Sequence, residues 1–377
     1  MTFLAIGLLD PFSVLRMSNI LFKAAVLQEH KEKLRIIGDV KLPKLKVGQV
    51  LVKLAYSGVC HSQIMEIDGL RGEDKYLPHF LGHEGSGVVV DIGEGITKVK
   101  KDDAVILGWI KGSGIEAGGC EYQHNSENIN AGGVTTFNEY AVVSENRCVL
   151  VPNNIPMDIA ALFGCAVLTG SGILTNTIQP QKNTNIAFFG LGGIGISALA
   201  ATKLYSFNKI FAVDINDDRL ELAKEFGATH IINPLKSCPV NFIKEHTDGI
   251  GVDYSVDAAG LTKTIEQAFD SVKIGGGLCV FASHPKFGEK ISIDPFDLIS
   301  GKQILGSWGG GANPDIDIPK FSKLYCDGIL PLDKLITKKY KLEKINDAID
   351  DLKSGKVIRP IIELDESIKN LNNTVNK

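Results

Sequence analysis

The sequence predicts an α/β protein of two unlike parts, a doubly wound parallel sheet and a mainly β barrel. Three observations predict it. With 377 residues the chain exceeds what one ordinary hydrophobic core organises, so two domains are expected. Between Phe22 and about Val151 the pattern is short β-type runs broken by glycine and proline. Near Asn185 the rhythm changes, and apolar runs begin to alternate with helical stretches.

In order along the chain, Phe22 to Leu27, Val50 to Leu54, Gly87 to Asp91 and Asp103 to Leu107 read as barrel strands. Ile186-Ala187-Phe188-Phe189 reads as a buried strand, and Ile196 to Tyr205 as the helix after it. Lys209 to Val213 is the next strand, ending at Asp214. Arg219 to Phe226 is helical, with Gly227 placed to end it. Asp253 to Val256, a helix around Thr264 to Val272, and Leu278 to Ala282 continue the alternation. Such βαβ succession argues for a doubly wound parallel sheet. Past Gly309-Gly310-Gly311 the chain is expected to return to the first domain. The expected divisions are an extension at 1–17, a catalytic part at 18–166 and 309–377, and a dinucleotide-binding part at 167–308.

Composition narrows the function classes. With 44% hydrophobic and 22% charged residues the chain is of ordinary globular type. A formal net charge of -4 offers no basic excess, which argues against a nucleic-acid partner. Seven cysteines, odd in number and without framework spacing, read as reduced thiols in a cytoplasmic protein, some of them ligating metal. The segment Met1 to Arg16 is apolar but interrupted by Asp10-Pro11. It lacks a cationic start and is too short to span a membrane, so no membrane partner is expected.

Chemistry enters at Gly190-Leu191-Gly192-Gly193-Ile194-Gly195. A GxGxxG alone is weak in a chain with 40 glycines. Here it follows a predicted strand, opens a predicted helix, and is trailed by Asp214 at the end of the next strand, which is the context that gives the motif weight. The loop would let a pyrophosphate approach backbone amides at a helix N-terminus. Asp214 would accept from the adenosine ribose hydroxyls and repel a 2'-phosphate, favouring NAD over NADP. From this motif alone an ADP-binding sensor without chemistry stays open.

Three separated residues supply the second signal: Cys60 in Gly58-Val59-Cys60-His61-Ser62, His83 in Gly82-His83-Glu84-Gly85, and Cys165 in Phe163-Gly164-Cys165-Ala166. A lone cysteine is usually a small buried hydrophobe. Together, two thiolates and an imidazole make a tetrahedral zinc site with one position open, the arrangement of a catalytic zinc. Beside a dinucleotide loop, they point to zinc-assisted hydride transfer.

From Phe22 to Leu364 the chain resembles the zinc-dependent medium-chain alcohol dehydrogenases. The markers are the three ligand segments, Gly85-Ser86-Gly87, Thr136-Phe137-Asn138-Glu139-Tyr140, Thr169-Gly170, the dinucleotide loop and Ile358-Arg359-Pro360. The resemblance implies a Rossmann sheet, a GroES-like barrel, and an alcohol as hydride donor to NAD, whether primary, secondary or polyol. It also implies that Cys60, His83 and Cys165 hold the catalytic zinc, with Glu84 beside the metal or transiently on it. Ser62 takes the substrate hydroxyl proton, Thr169 flanks the nicotinamide, and Arg219 lies over the adenosine. His61 and Arg359 pair with the pyrophosphate, and His61 is also a candidate base. Trp109 matches a pocket wall; a core tryptophan is the competing reading. Relatives pair through the edge of the cofactor sheet, near Gln303 to Trp308 here, so a homodimer or homotetramer is expected.

Three departures qualify the resemblance. Where many relatives place four cysteines around a structural zinc, the stretch Lys111 to Gly133 keeps only Cys120. One zinc per chain and a mobile glycine-rich lobe are therefore expected. Gln63 stands where relatives carry an aspartate supporting the metal histidine, which predicts a more electrophilic zinc. Met65 stands where a relay histidine would end the proton path. The competing functions are a zinc-free quinone or enoyl reductase of the same superfamily, and a catalytically silent dinucleotide binder.

Overall fold

The computed structural model describes residues 20–368. The expected extension at 1–17 and the end of the Asn-rich tail lie outside them. The first part of the chain supplies ten strands: β1 (Leu21–Leu27), β2 (Arg35–Lys41), β3 (Gln49–Gly58), β4 (His79–Phe80), β5 (Glu84–Ile92), β6 (Ala104–Gly108), β7 (Cys120–His124), β8 (Glu127–Ala131), β9 (Tyr140–Ser144) and β10 (Cys148–Leu150). Strands β1, β2, β7, β8 and β4 close a small barrel. Its core is Phe22, Val26, Val40, Phe80, Tyr122 and Ile129. Along β7 the inward residues alternate with outward ones, because successive side chains leave a strand on opposite faces.

The second part supplies β11 (Thr184–Phe189), β12 (Phe207–Val213), β13 (His230–Ile232), β14 (Tyr254–Asp257), β15 (Leu278–Phe281) and β16 (Gln303–Gly306). They pair in parallel in the order β13-β12-β11-β14-β15-β16. The order reverses beside β11, and the crevice at the carboxyl ends of the strands there is where such sheets bind ligands. β11 is buried on both faces, which explains its unbroken apolar run. The helix after it spans Gly193–Ala201, three residues earlier than the apolar pattern suggests, because glycines with poor intrinsic propensity form its first turn.

The chain then returns. β17 (Ile336–Lys341) and β18 (Arg359–Glu363) complete a seven-stranded sheet ordered β10-β6-β5-β3-β18-β17, with β9 also on β3. Ile361, Ile362 and Glu363 pair with Gly58, Ser57 and Tyr56 at the end of β3. This pairing sets Arg359 beside the segment carrying Cys60, so the end of the fold completes a site begun near its start.

Candidate active site

Each of the three proposed ligands sits where a strand or helix ends. Cys60 precedes the helix His61–Ile67, just past β3; His83 precedes β5; Cys165 precedes the helix Ala166–Gly172. Their ligating atoms all lie within 4.8 Å of one another, and among the described residues this is the one group of that kind. Cys60 and Cys165 are buried, and the His83 Nε2 atom is sealed from solvent without a hydrogen-bond partner. A buried polar atom left without a partner is costly, so the site fits a group still to be supplied. Two sulfurs and an imidazole are a donor set for zinc.

The protonation of the cluster fits the same role. A hydrogen bond from Cys165 lowers the Cys60 pKa well below the usual thiol range, and the same bond raises that of Cys165. Burial opposes charge on His83, but the adjacent Cys60 sulfur outweighs it and raises the pKa. One proton is thus shared among groups that a metal would have to displace it from.

Around the cluster, Gln63 accepts from the Cys60 N–H at 2.9 Å through Oε1 and turns Nε2 to the His83 Nδ1. Ser62 Oγ lies 3.5 Å from the same ring nitrogen. Glu84 is fully buried and ion-paired with Arg359 at 2.5 Å; Arg359 also donates to the Val59 carbonyl. Burial raises the Glu84 pKa against the lowering effect of the arginine. Nothing local in the sequence links residues so far apart, so this ion pair emerges only in the folded chain. His61 stands in the cleft, where desolvation lowers its pKa, helped by the charges of Arg219 and Arg359 and opposed by Cys60.

The dinucleotide loop adjoins this cluster. A Cβ at Gly195 would run into the Gly190 carbonyl, whereas one at Gly192 would meet nothing within 4 Å, leaving open space above the helix start. The Asp214 carboxylate is fixed by the N–H groups of Leu191 at 2.7 Å and Asn216 at 2.9 Å. Arg219 donates to the Val357 carbonyl at 3.1 Å. Arg359 Nη1 would be 3.2 Å from a Cβ on Gly193, so one guanidinium lies between Glu84 and the loop beside Ile194. Thr169 is buried and its hydroxyl has no partner. Trp109 follows β6 and meets Trp308, which lies at the expected sheet edge.

The lobe differs from its expectation. Residues 112–119 are irregular, but β7 and β8 form a hairpin that closes the barrel, and the irregular part is pinned. Glu145 accepts from the N–H groups of Thr97, Lys98 and Ile115 at 2.6, 2.8 and 2.8 Å. Glu116 pairs with Lys111 and Arg147. Carboxylates made in the folded chain tether what glycine content alone suggested would be loose.

Two buried cysteines and a half-buried histidine, brought together beside a glycine-rich loop at the switch point of a parallel sheet, suit a metal-dependent oxidoreductase. Comparison with known proteins agrees. The family profile described as alcohol dehydrogenase GroES-like domain matches residues 46–153, and that described as zinc-binding dehydrogenase matches residues 193–325. The chain is 32% identical over 376 residues to alcohol dehydrogenase class-3 of Dictyostelium discoideum, covering 91% of this chain and 97% of that one. It is 32% identical over 373 residues to S-(hydroxymethyl)glutathione dehydrogenase of Paracoccus denitrificans, covering 90% and 99%. Among solved structures it resembles benzyl alcohol dehydrogenase of Acinetobacter calcoaceticus, with a TM-score of 0.82, 31% identity, and coverage of 92% and 100%. The chain therefore belongs to the zinc-dependent medium-chain alcohol dehydrogenase family, and its chemistry is zinc-dependent alcohol oxidoreduction. The zinc-free reductase and the silent binder find no support in these likenesses.

Proposed function

We propose that the chain oxidises a primary, secondary or polyol alcohol to an aldehyde or ketone with NAD, and runs in reverse when carbonyl and NADH are supplied. The observation that carries this reading is the Cys60, His83 and Cys165 cluster with its buried, unpartnered Nε2. Held by those three residues, zinc would supply Lewis-acid polarisation of the alcohol oxygen, and NAD the hydride acceptor.

The chain's own residues do the rest. The glycine loop from Gly190 to Gly195 and the Asp214 carboxylate hold the dinucleotide, the latter by way of the adenosine ribose. Arg359 and Arg219 bring positive charge toward the pyrophosphate and adenosine sides, and Thr169 presents its free hydroxyl to the nicotinamide. Ser62 accepts the substrate hydroxyl proton and passes it along the ribose toward water, with His61 as the nearby base. Met65 cannot extend that path. The carbinol carbon gives up a hydride and its oxygen a proton, so substrate loses two electrons and the dinucleotide gains them. The Glu84–Arg359 ion pair fixes the floor beneath the ligands and aims the guanidinium at the loop.

Of the relatives' substrates, benzyl alcohol and S-(hydroxymethyl)glutathione are natural first candidates. We infer one zinc per chain, because Cys120 stands without other cysteines in the lobe. A homodimer or homotetramer is supported by β16, a largely exposed edge strand that carries Leu305 in the open. The free state of all seven cysteines supports a cytoplasmic setting, and among the described residues no helix is long and apolar enough to cross a membrane. The proposed divisions remain 18–166 with 309–377, and 167–308.

The test is initial-rate NADH formation across primary, secondary, polyol and hydroxy-acid substrates, with a chelator-treated aliquot and NADP as controls. Activity that needs the metal and NAD supports the reading. Silence across the panel with zinc and NAD both bound would leave a binder. Two zincs per chain by elemental analysis would overturn the single site.

A further inference from the structure

No step of the hydride transfer uses the motif Thr136-Phe137-Asn138-Glu139-Tyr140, yet it is laced through the part of the fold that carries Cys60 and His83. Its backbone is held on both sides. Ala25 donates to the Phe137 carbonyl at 2.8 Å, and Leu54 in β3 donates to the Glu139 carbonyl at 2.9 Å. Thr136 and Phe137 both donate to the Leu81 carbonyl, at 3.1 and 3.0 Å, just before His83. Phe137 is fully buried in a core it shares with Val59 and Ile64, which lie on either side of Cys60 in the chain.

Thr136 is the residue that meets the His83 turn. It is fully buried, and its side chain reaches the two glycines that enclose His83-Glu84. A Cβ on Gly82 would collide with the Thr136 hydroxyl oxygen and stand 2.8 Å from the Phe137 ring. One on Gly85 would stand 3.1 Å from the Thr136 methyl. The Ser57 hydroxyl reaches the Thr136 oxygen at 2.7 Å and the Glu84 carbonyl at 3.1 Å, which closes a ring of contacts around the turn. Gly82 has a φ of +88°, a conformation open to glycine and strained for other residues. A glycine is loose by itself, so the direction of the next side chain depends on what packs against it. Thr136 supplies that packing with a branched side chain whose χ1 is stiff. Gln63 and Ser62 meet the His83 ring at Nδ1, but the ring is aimed only if its backbone is also fixed.

We propose that Thr136 is a positioning residue for the metal: its hydroxyl and methyl clamp the turn Gly82-His83-Glu84-Gly85 and so aim the His83 Nε2 at the two cysteine sulfurs. This rests on the dehydrogenase reading above and adds to it a residue that donates no ligand. The buried Nε2 keeps its place without a hydrogen-bond partner because the backbone behind it is held. The motif from Thr136 to Tyr140 thereby belongs to the metal site as well as to the barrel core.

The experiment compares wild type, Thr136→Ala, Thr136→Val and Thr136→Ser with Val40→Ala, a control in the separate core of the small barrel. Zinc loss to excess chelator is followed with time, and the cobalt-loaded proteins are compared by their visible ligand-field absorption. Thr136→Ala and Thr136→Val should lose zinc about tenfold faster, the lower end of what supporting residues are worth to a metal site, and their cobalt bands should shift. Thr136→Ser, which keeps the hydroxyl, should restore most of the wild-type rate and spectrum. Val40→Ala should lower the denaturation midpoint and leave both metal readouts unmoved. Thr136→Ala and Thr136→Val variants that release zinc at the wild-type rate with unmoved cobalt bands overturn the clamp, even if they unfold earlier. A Val40→Ala variant that releases zinc as fast as Thr136→Ala also overturns it, because ordinary loss of stability then accounts for the release. A wild type that takes up neither zinc nor cobalt brings down the dehydrogenase reading and the clamp together, whereas a metal-binding wild type with unchanged variants brings down the clamp alone.

Discussion

Two places in the barrel part hold a cysteine in opposite ways. At the metal cluster, Cys60 and Cys165 face His83 across a few ångströms, and the imidazole keeps a buried nitrogen without a partner. In the lobe, Cys120 is buried alone, its thiol pushed up to about 11 by desolvation and its sulfur only 3.9 Å from the Val142 carbonyl. The carboxylates near it are satisfied, Glu145 by three backbone N–H groups and Glu116 by Lys111, which helps hold its pKa at about 2. The difference teaches that partner accounting separates a ligand site from a structural one better than residue type does. Unsatisfied donors wait for an ion, whereas satisfied ones do the work of one.

The strongest way to break that comparison is to remove a cysteine from each place. Cys165→Ala should lose stoichiometric zinc and lower kcat by about 10³-fold or more, since the metal is worth several kcal/mol of transition-state stabilisation. Cys120→Ala should keep its zinc and most of its activity. Equal zinc loss in the two variants, measured by elemental analysis, would erase the distinction.

A second test strikes the lobe. Glu145→Ala strands three backbone donors and should cost about 4 kcal/mol in chemical denaturation, with zinc content unchanged. Loss of zinc with the lobe would mean that the two places are coupled.

A third carboxylate extends the contrast. Asp257, fully buried at the end of β14, has its pKa raised to about 6 by desolvation, against hydrogen bonds from Thr264 and Gly260. Its folded pKa exceeds the ordinary 3.8, so between these values the native state binds more protons than the unfolded state and stability falls as pH rises. The fall should reach about 3 kcal/mol by pH 7. Asp257→Asn should abolish it, leaving a variant more stable than wild type at pH 8. Glu145 has the opposite sign: backbone hydrogen bonds overcome its burial and lower its pKa, so its contribution is present above the ordinary 4.5 and lost on acidification. A flat wild-type stability profile between pH 4 and pH 6 would contradict the Asp257 assignment.

The smallest effect concerns Gln63. Replacing it with aspartate adds a negative charge beside the metal histidine and should tighten zinc about tenfold in competition with a chelator. The pH–rate profile should move to higher pH. An unmoved profile would show that the amide and the carboxylate orient His83 equally well.

The sequence by itself determined a good deal. The βαβ alternation, the glycine loop between strand and helix, and Asp214 at the next strand end are local patterns, so backbone period and turn chemistry reveal them without neighbours. The ligand candidates were readable for the same reason, each being a reactive side chain at an element boundary. Helix limits were less so: Gly193 opens a helix that its propensity argues against, because the sheet and the loop around it impose the turn. What only tertiary structure decided is how distant segments meet. The Glu84–Arg359 ion pair depends on β18 pairing with β3, and the tethered lobe depends on Glu145 reaching across to Thr97 and Ile115. The meeting of Trp109 with Trp308 depends on two parts of the chain packing on either side of the Cys165 helix. None has a sequence period, because each is fixed by long-range burial and by the cost of leaving polar groups unpaired inside the fold.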